Sequence, residues 1–105
     1  MTYKDLSWKV NEAFRSLRKI GYFCKSNFYC CTTCGGAAIP SAENKKVVFW
    51  HQQDTETAKK LEKQRRTPYL YLSWAGDSVE ICRHLRAAGL TVIAPDTNDT
   101  KFLVF

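Results

Sequence analysis

Tyr69-Leu70-Tyr71-Leu72-Ser73-Trp74-Ala75-Gly76-Asp77-Ser78-Val79-Glu80-Ile81-Cys82-Arg83-His84-Leu85-Arg86-Ala87-Ala88-Gly89-Leu90-Thr91-Val92 changes its hydrophobic period twice, and these changes decide the fold. From Pro68 to Trp74 the period is two. Leu70, Leu72 and Trp74 fall on one side of an extended chain, and Tyr69, Tyr71 and Ser73 on the other. Gly76-Asp77-Ser78 is turn chemistry. Asp77 then stands where a helix cap belongs, with Glu80 at the spacing of a capping box in which Asp replaces Ser or Thr. Val79, Ile81, Cys82, Leu85 and Ala88 form the inner face of this helix, and Gly89 stops it. Leu90 to Ala94 returns at once to strand. Strand, helix and strand in so short a span call for helices layered on a sheet.

Toward the C-terminus, residues 95–99 read as a turn and Lys101–Phe105 as a last strand, paired with residues 90–94 in an antiparallel hairpin. Toward the N-terminus, Thr55–Arg66 reads as a helix capped by Asp54, with Glu56 in its first turn. It ends in Lys59, Lys60, Lys63, Arg65 and Arg66, bases that suit the negative end of a helix dipole. Its apolar content is only Ala58 and Leu61, so it is short and mostly solvated. Lys46–His51 is β-branched and aromatic, a buried strand. Tyr3, Leu6, Val10, Ala13, Leu17 and Ile20 recur at spacings of three and four, with Phe14 beside them, and Gly21 ends this first helix. Lys4, Asn11, Arg15 and Arg18 lie on its outer side. The expectation is a single α+β domain over residues 1–105, with about three helices on a three- or four-stranded mixed sheet. A chain of 105 residues can bury one core and not two.

A composition of 45% hydrophobic and 25% charged residues excludes a disordered tail. The longest strand-like apolar run, Val47-Val48-Phe49-Trp50, is far shorter than the roughly 18 residues a membrane helix needs. The first residues lack the apolar segment of a secretory signal, so a cytoplasmic protein with no membrane partner is expected. The formal charge is +6, with eight bases against three acids in residues 1–52. Such a half attracts an acidic protein surface first, and nucleic acid weakly.

Residues 21–44 hold no sustained period and read as a cysteine-rich knuckle or irregular loop with short extended pieces. Four of the five cysteines, Cys24, Cys30, Cys31 and Cys34, lie here, and Cys82 lies on the third helix. In Cys31-Thr32-Thr33-Cys34-Gly35, two thiolates fall on one side of a tight turn, the shape of a zinc knuckle. A four-ligand site would need two more donors beside Cys31 and Cys34, drawn from Cys24, Cys30 and His51, with Cys30 and His51 put first, and zinc is the metal such a set would hold. Cys82 and His84 are the other donors in the chain. Two further readings stand beside this one: packing as small apolar thiols, and a redox pair. His51-Gln52-Gln53-Asp54 stands between a strand and a helix. His51 there is either a base or ligand beside a thiol, or simply the end of a strand before the Asp54 cap. An odd cysteine count without an export signal points to reduced thiols.

Several stretches together resemble an uncharacterised group of small bacterial proteins, grouped as a domain of unknown function. They are Gly21-Tyr22-Phe23, Asn27-Phe28-Tyr29-Cys30-Cys31-Thr32-Thr33-Cys34-Gly35, Phe49-Trp50-His51-Gln52-Gln53-Asp54-Thr55-Glu56, Leu70-Tyr71-Leu72-Ser73 and Leu85-Arg86-Ala87-Ala88-Gly89-Leu90-Thr91-Val92. The resemblance runs over about residues 3–93. It implies a shared fold and two shared motifs, and nothing catalytic.

For partners, Trp8 lies off the apolar face of the first helix near Arg15, Arg18 and Lys19, while Tyr69 and Tyr71 share one strand face. Exposed Trp, Tyr and Arg make hot spots for protein partners. The leading class is therefore a small interaction or regulatory protein that binds another protein, an inhibitor or adaptor; phage-made inhibitors of a host system are one kind that would fit, though no residue points to them. The second class is a thiol- or metal-dependent enzyme using Cys30, Cys31 and Cys34 with His51. The third is a basic nucleic-acid-binding module using the first helix and Lys45-Lys46.

Overall fold

The computed structural model describes residues 2–27, 46–97 and 100–105. Over these residues the chain order is α1 (Tyr3–Lys19), β1 (Phe23–Lys25), β2 (Val47–Phe49), α2 (Gln52–Lys63), β3 (Leu70–Ala75), α3 (Ser78–Ala87), β4 (Val92–Ile93) and β5 (Phe102–Val104). The strands form one mixed sheet in the order β1-β2-β3-β5-β4. β1 runs parallel to β2, and every other neighbouring pair is antiparallel. The α+β expectation holds, with one strand more than expected. β1 is three residues long, and its Phe-Cys-Lys sequence shows too little alternation to declare a strand. Its parallel pairing with β2 supplies the order its own sequence does not. Most of the expected knuckle, from Phe28 onward, lies outside the described residues.

Register places the inward side chains. Cys24 pairs with Val48, Val48 with Trp74, Leu72 with Phe102, and Leu70 and Val92 both with Val104, so all of these share one face. They join one core with Leu6, Val10, Phe14 and Leu17 of α1, Ala58 of α2, and Ile81 and Leu85 of α3. The three described helices therefore cover a single face of the sheet. Trp50 closes the layer beneath α1: it packs on Phe14 at 5.7 Å between ring centroids, and its indole N–H donates to Thr55 Oγ1 at 2.9 Å. A buried indole N–H left without an acceptor would cost about 1–3 kcal/mol, so this bond fixes where α2 begins.

The helix ends follow cap chemistry. Thr2 caps α1 through a reciprocal box with Asp5. The Thr2 hydroxyl, bonded to Asp5, holds the Asp5 carboxyl below its ordinary pKa. At α2 the expectation is corrected: His51 is the cap, and Asp54 sits three residues inside the helix. The Asp54 carboxylate reaches back to accept the His51 N–H at 3.3 Å, so the acid closes the turn from within. α2 also stops at Lys63, short of Arg66. At α3 Asp77 caps as expected, accepting from the N–H groups of Val79 and Glu80. Its own N–H goes to the Tyr22 hydroxyl at 3.1 Å rather than to Glu80. Val79 is 74% exposed, not inward. It belongs to the first turn of α3, directly after the Ser78 that opens the helix.

Candidate functional site

Alternation along β3 sends every second side chain away from the helices. On this far face Tyr69 and Tyr71 stand edge to face, 5.6 Å apart, and Tyr71 is 41% exposed. Leu103 of β5 pairs with Tyr71, and Ile93 of β4 pairs with Leu103. Ile93 is 54% exposed. An antiparallel sheet with one solvated face usually places polar residues there. Here three adjacent strands put large apolar and aromatic side chains in those positions. Toward β2 the same face changes character, because Val47 and Phe49 are buried.

The open part leads into a depression. Thr67, Tyr69, Leu103 and Phe105 surround a cavity of about 260 Å³. Thr67 also borders a second cavity, of about 250 Å³, lined by Glu62, Arg65 and Arg66 at the end of α2. The apolar hollow and the one at the end of α2 share Thr67 in their linings. Tyr69 and Tyr71 were legible as site residues from the alternation of β3. Leu103, Phe105 and Ile93 were not, since Phe-Leu-Val-Phe reads equally well as a strand buried on both sides. Arg65 and Arg66 read only as the basic end of a helix.

The other expected partner residues sit elsewhere. Trp8 is 64% exposed on α1, and Arg15 pairs with Glu12 at 3.7 Å on the same helix. Arg18 donates from Nη2 to the Cys24 carbonyl at 2.8 Å. With Lys19 they belong to the helix layer, so the domain separates them from Tyr69 and Tyr71 on the far side of the sheet.

Of the expected metal ligands, Cys30, Cys31 and Cys34 lie outside the described residues. His51 is buried and packs edge-on against Phe49 at 5.1 Å. Among the described residues no group of three His, Cys, Asp or Glu is placed to hold a metal ion. Cys24 and Cys82 are buried free thiols. Burial pushes the Cys24 thiol up to about 11, with Arg18 opposing only weakly. Such a thiol stays protonated at neutral pH and behaves as a small apolar side chain.

A family model described as a domain of unknown function, DUF6891, matches residues 7–104. The chain belongs to the DUF6891 family. The match spans the chain from the first turns of α1 through β5, so the strands that build the open face lie within the DUF6891 domain. No curated protein and no solved structure matches the chain. No described helix of this DUF6891 protein is long and apolar enough to cross a membrane.

Proposed function

We propose that this protein is a binding module whose working surface is the open face of β3, β5 and β4, and that its ligand is another protein. The observation that carries this reading is the pairing Tyr71–Leu103–Ile93 across three strands, with Tyr71 and Ile93 left in solvent. Contiguous apolar surface of this kind is costly to leave wet, and tyrosine is a preferred anchor in protein interfaces. A module of this type works as an adaptor or an inhibitor of the protein it binds. The basic end of α2 beside the face favours a partner with acidic character.

The test is affinity capture from nuclease-treated extract of the cells that make the protein, using three forms of the chain. The wild type and a Trp8→Ala/Arg15→Ala form should retain the same partner, and a Tyr71→Ser/Ile93→Ser form should lose it. Retention by the sheet-face variant with loss from the α1 variant would move the interface to the helix layer.

A further inference from the structure

All three described helices end in the same hydrogen-bond pattern. In α1, the Gly21 N–H donates to the Arg18 carbonyl and the Tyr22 N–H to the Leu17 carbonyl. In α3, Gly89 and Leu90 do the same to Arg86 and Leu85, and in α2, Arg65 and Arg66 to Glu62 and Leu61. This is the Schellman arrangement, in which the residue after the cap turns left-handed. Its φ is 98° at Gly21, 91° at Gly89 and 59° at Arg65. Two of the three ends use glycine, the residue with no steric objection to that conformation. The third holds an arginine there against its own backbone preference. The favourable field at a helix C-terminus accounts for a base near this end. It does not account for a base at the one position where glycine is easier.

What Arg65 gains by standing there is a place in the lining of a cavity with Glu62, Arg66 and Thr67, and Thr67 also lines the hollow of Tyr69, Leu103 and Phe105. Lys59, Lys60 and Lys63 precede it on α2. The one acid of this stretch, Glu62, is turned toward α1, where its carboxylate accepts the Tyr3 N–H at 2.8 Å. Among the described residues neither guanidinium has a carboxylate partner. A guanidinium presents a planar fork that fits a carboxylate in two parallel hydrogen bonds.

We infer that the two cavities on either side of Thr67 receive a peptide segment of the partner that carries a carboxylate near an apolar side chain. Arg65 and Arg66 take the carboxylate, and Tyr69, Leu103 and Phe105 take the apolar group. This rests on the open face being the binding surface and specifies the chemistry of what binds it.

Fluorescence anisotropy of the full chain with labelled peptide pools tests the inference. Each pool alternates Leu, Ile or Phe with one filler type: Asp and Glu, Ser, or Lys. A single-stranded oligothymidylate is the fourth probe. The acidic pool should bind about tenfold or more tighter than the Ser pool, and salt should weaken it. Arg65→Gly keeps the cap and relieves its backbone, so it cannot act by unfolding; it should bring the acidic pool close to the Ser pool. Equal binding of the acidic and Ser pools, preference for Lys or for the oligonucleotide, or binding by none of the probes would overturn the inference. If Tyr71→Ser weakens all peptide pools while Arg65→Gly changes none, the open face survives as a binding surface and only the acidic specificity falls. Acidic-pool binding that ignores Tyr71→Ser would instead sink the open face itself.

Discussion

Leu72 and Tyr71 are neighbours on β3 and live under opposite rules. Leu72 is fully buried between the helices and Phe102, whereas Tyr71 stands in solvent beside Leu103. On the helix-covered face the polar groups have taken partners within the fold: Trp50 N–H on Thr55, the Asp77 N–H on Tyr22. On the far face a comparable set of large side chains from the same strands is left without helices. The difference separates two states of hydrophobic surface, one that holds the chain together and one that the described helices leave open.

The sharpest way to break this comparison is truncation on both sides of one strand. Leu72→Ala should cost about 2–5 kcal/mol, because a fully buried methyl cluster leaves a cavity behind. Tyr71→Ala, at a half-exposed position, should cost about 0.5 kcal/mol or little more. Urea unfolding of the two variants decides it; similar losses would mean that the far face is core. The next effect concerns Gly76. Its φ is 124°, and a Cβ there would lie 2.9 Å from the Tyr22 hydroxyl. Gly76→Ala should therefore cost about 1–3 kcal/mol through strain and a displaced Tyr22, read as a lower melting temperature.

A smaller effect of opposite sign is expected at the rim of the far face. Arg65→Gly should stabilise the domain by about 1 kcal/mol, while Gly21→Ala, at the equivalent cap of α1, should destabilise it by a similar amount. Equal signs for the two would remove the argument that Arg65 sits where it does for binding. A last effect is on the covered face and appears only at high pH. Because burial raises the Cys24 thiol from 9.0 to about 11, its contribution to stability is complete below pH 9 and is lost as pH rises through 11. Burial raises the Tyr22 phenol as well, so it acts in the same direction. The wild type should lose stability between these pH values more steeply than Cys24→Ala, measured by urea midpoints at pH 8, 9.5 and 11. Parallel slopes would show that the thiol is not protected.

The helix layer was legible because its signals are long. The first helix repeats its apolar spacing through five turns, and β3 alternates over six residues. The failures lie where a tertiary partner overrides a local cue. Asp54 looks like a cap, but His51 takes that place once Trp50 is anchored on Thr55. Val79 looks inward by spacing, but in the first turn of α3 it is left in solvent. For the site, Tyr69 and Tyr71 could be read and their neighbours could not. Strand pairing across β3, β5 and β4 joins residues about 10–30 positions apart, and no local pattern announces it. One cue did exist at the helix ends: Ile20-Gly21 and Ala88-Gly89 close with glycine, and Gln64-Arg65 does not.

The bond from Arg18 to the Cys24 carbonyl has a consequence for the sheet as a whole. Phe23 and Lys25 direct backbone groups to β2, through the Lys46 carbonyl and the Trp50 N–H, which leaves the Cys24 carbonyl on the outer margin of β1. Arg18 occupies it, and a charged Lys25 stands beside it. At the opposite margin β4 is two residues long and Pro95 follows it closely. A sheet with margins this short, one of them plugged by a guanidinium, is a poor template for strands from other chains. The exposed aromatic face therefore does not come with margins that invite the strand-by-strand growth that leads to fibrils.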